Sequence, residues 1–483
     1  MEYIMPLWPA YPELFLLVMA CVILIVDLFV SDDNRIVTYG LTQFTLAGCA
    51  LLTFFTGNPE PVYTFSGMFV DDLMADALKL LTCVSVIMVL VYARAYNAAR
   101  GLFRGEFFTL ALFATLGMMV MISANHLLTL YLGLELLSLS LYALVALQRD
   151  SLQSSEAAMK YFVLGALASG MLLYGMSMLY GVTGTLDLPD LLIKVSVAGD
   201  KRLLLVFGLV FVLVGISFKL GVVPFHMWVP DVYQGAATPV TQFIGTAPKL
   251  AAFAMALRLL VDGLGGLSEE WHQMLILLAI LSMGLGNLLA IAQTNFKRML
   301  AYSTVAHMGY MLLGLVATRA SGYAASMFYV TVYALMSMGA FGAIILLSSR
   351  NSEADQLSDL SGLAKRSPWF ALIMLILLFS MAGVPPFAGF WAKWFVLKEV
   401  VGAGYTWLAA VAVMFSLVGA YYYLRAIKIM YFDAPVVSGR PEASQDLKLV
   451  LSVNGLAVLA LGLMPEMLLR VCLDATLSYP PWQ

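Results

Sequence analysis

Along this chain apolar residues come in long runs, and polar residues are confined to short gaps between them. A run of about 20 apolar residues is enough to cross the hydrocarbon of a bilayer as a helix. On that measure spans are predicted near 11–31, 36–56, 73–95, 106–123, 126–147, 157–182 and 204–227. Seven more fall near 240–262, 271–292, 299–318, 323–348, 369–402, 406–430 and 447–470. The fold class is therefore an all-α polytopic membrane protein of about 14 transmembrane helices. The longest polar stretches, 184–202, 350–367 and 432–446, are too short for an extramembrane domain, so 1–483 reads as a single transmembrane domain. Composition agrees: 62% hydrophobic and only 11% charged residues do not describe a soluble domain.

Two of these runs are broken by proline, and each carries a lysine near the break. GISFKLGVVPFHMWVPD has Lys219 ahead of Pro224, and SMAGVPPFAGFWAKWFVL has Lys393 after Pro385 and Pro386. A charge in hydrocarbon costs roughly 2.5–3.5 kcal/mol on insertion scales. A mid-span proline frees backbone groups that only protein or a wet cavity can satisfy. Spans 4–8 (106–262) and 9–13 (271–430) each hold five helices, so the second set starts from the opposite face. The broken helix is the fourth in each set, at spans 7 and 12. That is the layout of two inverted five-helix repeats, and on it Lys393 mirrors Lys219.

Lysine and arginine set the orientation. With the N-terminus outside, the inner loops hold Arg35, Arg94, Arg100, Arg104, Arg149, Lys160, Lys297, Arg298, Arg350, Lys365, Arg366, Arg425, Lys428, Arg440 and Lys448. The outer loops hold Lys194, Lys201, Arg202, Arg319 and Arg470. Fifteen against five puts both termini outside. The start, MEYIMPLWPAYPELF, lacks a positive n-region and a cleavage site, so the first run is expected to be a retained span.

Most charged residues, Asp27, Arg258, Glu399 and Arg470 among them, are expected at span ends, where they snorkel or face water. Five are expected near mid-span: Glu135, Lys219, Lys249, His307 and Lys393. Intramembrane ionisable groups mark ion pathways by default. A lysine in apolar surroundings releases its proton more readily than one in water, which suits it to proton transfer. Glu135 and Lys219 lie at similar depth in one half and are expected to pair. Lys249, after Pro248, and Lys393 have no carboxylate on their own spans at their depth, and histidine titrates near neutrality. His226, just after the first break, and Lys160 are weaker candidates, since Glu156 offers Lys160 an ordinary i,i+4 partner. A static packing role remains the alternative for each.

Together these groups suggest two proton half-channels that meet near Lys249, with Glu135, Lys219 and Lys160 serving the inner one and His307 and Lys393 the outer one. Moving a charge outward against about 150 mV costs about 3.5 kcal/mol. No nucleotide-binding loop is present, and the four cysteines (Cys21, Cys49, Cys83, Cys472) have no metal or redox spacing. The energy must then come from partner chains. Neither metal nor cofactor is expected here, and basic residues form no nucleic-acid patch.

KLGVVPFHMWVPDVYQGAATPVTQFIGTAPK, with AQTNFKRMLAYSTVAHMGYMLLG, resembles the antiporter-like subunits of proton-pumping NADH:quinone oxidoreductase, respiratory complex I. The resemblance covers essentially the whole chain. PFHMWVPD is of a type shared with multisubunit sodium/proton antiporters, whereas VYQG and a lysine at 249 are similar to one complex I member in particular. Lys393 stands where sibling subunit M has a glutamate, and the chain ends without the lateral helix of sibling subunit L. The resemblance implies that Glu135, Lys219, Lys249 and Lys393 are key positions, with His226, His307 and Lys160 in support. It implies subunits M and K and the lateral helix of L as partners in a bacterial inner membrane. NADH, FMN, iron–sulfur clusters and quinone would belong to other subunits. A sodium/proton antiporter subunit, an assembly scaffold and a carrier of organic substrates are the rival readings.

Overall fold

The computed structural model describes residues 7–477 apart from 198, 351, 437–438 and 440–441. Arg440 and both chain termini, used above to argue orientation, lie outside the described residues. The chain folds into helices α1 (Tyr11–Asp27), α2 (Ile36–Thr56), α3 (Leu73–Ala99), α4 (Gly105–Ile122), α5 (Leu127–Val145), α6 (Leu152–Thr183), α7 (Leu188–Ser196), α8 (Arg202–Leu220), α9 (Trp228–Gly235) and α10 (Thr238–Ile244). There follow α11 (Ala247–Leu257), α12 (Ser268–Ile291), α13 (Phe296–Val316), α14 (Ala320–Leu347), α15 (Leu363–Arg366), α16 (Pro368–Ala382), α17 (Ala388–Gly402), α18 (Thr406–Phe432), α19 (Gln445–Leu463) and α20 (Pro465–Thr476).

Among the described residues thirteen stretches are long and apolar enough to cross a membrane, and the fourteenth expected span is the broken pair α16 and α17. Helix ends follow local chemistry. Asp72, Ser151 and Asn295 accept a backbone N–H in the first turns of α3, α6 and α13. Gly184, Gly221 and Gly383 end α6, α8 and α16 in the left-handed conformation that glycine adopts without penalty.

Several boundaries differ from the hydropathy reading. Span 7 does not run to 227: α8 stops at Leu220, and a separate short helix, α9, follows. Span 8 is itself interrupted between α10 and α11, a third break, at Gly245 and Thr246, that a hydropathy average over the span does not register. Span 14 ends at Leu463; Pro465 opens α20, so Arg470 sits on a separate and exposed helix. The polar stretch after α6 contains the amphipathic helix α7. The loop before α3 also holds a two-stranded hairpin, Val62–Thr64 with Phe69–Asp71, in an otherwise helical chain.

The core lies at the middle of the bundle. The apolar window of α10–α11 is wholly buried, and those of α13 and α14 nearly so. Such helices are apolar on every side, unlike the one-sided helices of soluble proteins. Several helix pairs approach almost to backbone contact, α4 with α5 and α12 with α13 among them. A β-carbon on Gly117 of α4 would stand 2.5 Å from the Leu137 nitrogen of α5, and one on Gly133 would stand 2.7 Å from the Met121 nitrogen. Between α12 and α13, Gly286 would meet the Ala306 nitrogen at 2.7 Å and Gly309 the Ala279 oxygen at 2.9 Å. Small residues permit this approach where no hydrophobic force drives helices together in lipid.

Gly133→Val should therefore lower stability by about 1–3 kcal/mol, the cost of overpacking. Gly170→Val on α6, where a β-carbon meets nothing within 4 Å, should leave it nearly unchanged. Thermal unfolding of the two purified variants checks the contrast.

Candidate functional site at the helix breaks

The two proline breaks are the same local structure. Gly221-Val222-Val223-Pro224-Phe225 and Gly383-Val384-Pro385-Pro386-Phe387 match at every position but the third, with glycine φ of 79° and 87° and a cis bond before Pro224 and before Pro386. Gly221 and Val222 N–H both donate to Ser217 O, as Gly383 and Val384 N–H both donate to Phe379 O.

The last carbonyls of a helix have no partner within it and carry its negative dipole end. Here a lysine from elsewhere supplies the partner. Lys249, in the first turn of α11, donates to Lys219 O at 3.1 Å and Leu220 O at 2.8 Å, the final carbonyls of α8. Lys393, on α17, donates to Ala382 O, the last residue of α16, at 2.9 Å and to Ser416 Oγ at 2.9 Å. Each ammonium thus spends two of its three N–H donors on neutral acceptors, and no carboxylate lies within 4 Å of either among the described residues. Aromatic faces complete the surroundings, with Trp228 5.3 Å from Lys249 Nζ and Tyr310 5.1 Å from Lys393 Nζ.

This corrects the expected symmetry. Lys219 stands two residues before the break glycine and Lys393 ten residues after it, so they are not equivalent positions. In chemical role Lys393 matches Lys249, which arrives from a different helix.

Lys219 donates to Ser138 Oγ at 2.5 Å, and Ser138 is hydrogen-bonded to Leu134 O. The expected Glu135–Lys219 ion pair is not made: no cation lies within 4 Å of Glu135 among the described residues. The carboxylate instead accepts from Ser169, which also reaches Tyr131 at 3.2 Å. Glu135 lies one turn of α5 from Ser138, near Lys219 but not on it, and is only half-buried. His307 is fully enclosed. Its Nδ1 pairs with Tyr329 OH at 2.7 Å and its Nε2 with Tyr423 OH at 3.0 Å, and Tyr423 is hydrogen-bonded to Ser303. A cavity of about 10 Å³, room for one water, is lined by both Lys219 and Lys249, and another of about 10 Å³ by both His307 and Lys393. Neither admits an organic molecule.

The weaker candidates stand apart. Lys160 is 43% exposed and bridges Glu156 and Asp231, each at 2.8 Å, while Asp231 also holds Arg298 at 2.7 Å. It belongs to a network at the basic end of the bundle and touches none of the deep groups. His226 lies in the loop of the first break, half-buried, with its Nδ1 unpaired.

Other buried charges were hidden by their place near span ends. Lys79 is fully buried between Glu13 at 2.9 Å and Asp71 at 3.3 Å. Arg258, expected to snorkel, is buried against Asp72 at 2.8 Å, Asp262 at 3.2 Å and Ile122 O at 3.2 Å. Lys297 is buried beside Glu353. Asp262, four residues after Arg258, was a local signal; the other acidic partners (Glu13, Asp71, Asp72 and Glu353) come from elsewhere in the chain, and hydropathy alone does not connect them.

Buried lysines on broken helices within a bundle of this kind define an antiporter-like membrane protein. The chain belongs to the NADH:quinone oxidoreductase/Mrp antiporter transmembrane family, which matches residues 124–419. Within it, the chain is 59% identical over 476 residues to a protein of Nitrosomonas europaea named NADH-quinone oxidoreductase subunit N, covering 98% of this chain and 99% of that one. Subunit N is the member to which VYQG and Lys249 pointed. A chain of respiratory complex I from Thermus thermophilus is 33% identical, with a TM-score of 0.82 over 96% of this chain and all of that one. A chain of the Mrp complex from Dietzia, at 23% identity and a TM-score of 0.87 over 98% of both chains, shares the fold.

Gly383→Ala would force a left-handed backbone and bring a methyl to 2.9 Å from Lys393 Cδ. It should cost about 1–2 kcal/mol for the backbone and displace the lysine. Gly404→Ala has the same backbone problem but open space around it, so it should show the backbone cost alone. Comparing the two melting temperatures separates these contributions.

Proposed function

We propose that this chain is the proton-translocating subunit N of a bacterial NADH:quinone oxidoreductase. Lys249 and Lys393 carry this reading. Each is buried on the carbonyl end of a broken helix with no counter-carboxylate, so it can hold or release a proton without breaking an ion pair. An ammonium fixed in a carboxylate pair would be costly to discharge, because the partner would be left buried and unpaired.

Glu135, Lys219, Lys249, His307 and Lys393 form the proton line, with His226 and Lys160 in lesser roles near its inner end. The line divides into two half-channels carried by inverted repeats, 106–262 and 271–430. The matching break motifs and the close α4–α5 and α12–α13 contacts support that division. Protons move outward, from the basic end to the opposite face. Glu135 is half-exposed on its helix, a position unfavourable against lipid, which supports a neighbouring subunit packing over α5 and α6. Subunits M and K and the lateral helix of L are the partners. The redox reaction, with NADH, FMN, iron–sulfur clusters and quinone, takes place in other subunits and supplies the energy.

The test is NADH-driven proton pumping by the whole complex in vesicles. Lys249→Ala and Lys393→Ala should each lower pumping about tenfold or more, as loss of a positioned proton carrier does, with assembly retained. Normal pumping by both would refute the reading. Pumping that requires sodium would favour the antiporter alternative, for which the fold shared with the Mrp chain is the supporting observation.

A further inference from the structure

We propose that the polar vestibule at the basic end, between α3, α9 and residues 352–355, is the inner proton entrance of this chain, with Lys297 as its floor and the Tyr233 hydroxyl as the relay beyond it. This rests on the proton-transfer reading above.

The vestibule is a polar space of about 760 Å³, and Arg100, Gln234, Lys297 and Glu353 help to line it. At its floor Lys297 is 2% exposed; its ammonium donates to Ala236 O at 2.7 Å and stands 3.8 Å from Glu353 Oε1. Glu353 also accepts from the Thr238 hydroxyl, from Tyr96 OH at 2.6 Å and from Arg100 at 3.2 Å. Burial alone would raise the Glu353 carboxyl, but the neighbouring Lys297 charge and these hydrogen bonds hold it below the usual carboxylate range. Glu353 is therefore a standing anion that draws cations to the floor; because Arg100, Tyr96 and Thr238 keep it paired, Lys297 can discharge without leaving it bare, and the exchangeable proton is on Lys297.

Beyond the floor, Lys297 and Thr304 lie two turns apart on one face of α13, about 10 Å along the axis. Thr304 Oγ1 accepts from Tyr333 OH at 2.7 Å, and the Tyr333 ring lies 5.3 Å from that of His307. Tyr233, on α9 beside the vestibule wall, is fully buried. Its hydroxyl approaches Thr304 yet completes no well-formed hydrogen bond among the described residues. A β-carbon at Gly245 would stand 3.3 Å from both this hydroxyl and Ser337 Oγ, so Tyr233 also faces the break that precedes Lys249. A buried hydroxyl without a partner calls for a water or a moving side chain. This one sits between the His307 arm and the Lys249 arm.

In the proposed step an N–H bond of the Lys297 ammonium breaks as an O–H bond forms to a water at Tyr233. That water passes a proton on toward the neutral form of Lys249, and the Lys297 amine takes a proton from a hydronium ion in the vestibule, so one proton moves inward and no ion is left behind. Lys160 is the competing entrance, but its cavity is only about 120 Å³ and its ammonium is held by two carboxylates.

Tyr233→Phe is the decisive variant, because the hydroxyl it removes makes no bond that folding needs. In the intact complex in inverted membrane vesicles, it should leave assembly and melting temperature unchanged while lowering protons pumped per NADH about threefold or more. Lys297→Met should lower pumping at least as far. A purely structural Tyr233 predicts no loss. Normal pumping by Tyr233→Phe overturns the proposal whatever Lys297→Met does. If Lys249→Ala is inactive in the same vesicles, the proton-transfer reading survives that failure; if it too pumps normally, that reading falls as well.

Discussion

An ammonium buried in a membrane protein must find hydrogen-bond acceptors, and this chain finds them at the ends of broken helices. The rest of the site depends on that constraint. A continuous helix keeps its carbonyls for itself, so no lysine could use them. Breaking α8 and α16 at Gly221 and Gly383 exposes a short set of carbonyls and the negative end of a helix dipole at once. Ser217 O takes backbone N–H groups, Phe218 O takes Trp228 Nε1 at 3.0 Å, and Lys219 O and Leu220 O take Lys249. Every terminal carbonyl of α8 is satisfied, and the lysine is satisfied with them.

Neutral acceptors differ from carboxylates in what they allow. A lysine paired with a carboxylate leaves a bare buried anion when it loses its proton. Lys249 and Lys393 leave only carbonyls and a hydroxyl, which an uncharged amine can still serve as a donor. Elsewhere the same chain uses the other arrangement. Lys79 between Glu13 and Asp71, and Arg258 between Asp72 and Asp262, are locked by opposite charge and tie α1, α3 and the end of α11 together. Two kinds of buried cation thus coexist, one suited to exchange and one to fastening.

Much of this was legible beforehand, for physical reasons. Hydropathy finds spans because lipid demands about 20 apolar residues in a row, so fourteen were placed close to where they lie. Breaks at Pro224 and at Pro385–Pro386 were visible because proline removes a donor. Pro248 stood beside the break before Lys249, but a proline in the first turn of a helix did not show that α10 ends at Ile244. Pairing was harder. Glu135 and Lys219 share a depth, yet Ser169 and Ser138 take the hydrogen bonds. Arg258 and Lys297 seemed to be span-end residues because depth along a helix says nothing about which loops cover its end.

The sequence by itself determined the membrane class, the number of spans, the two proline breaks and the five deep ionisable residues, because each follows from local composition. It also carried the family, through motifs read in order along the chain. Only the tertiary structure decided which lysine serves which break. Lys219 and Lys393 look paired when counted from the prolines, but Lys249 crosses from α11 to hold the end of α8. A hydrogen bond depends on distance in space, and thirty residues of chain separate Lys249 from the carbonyl of Lys219 that it holds.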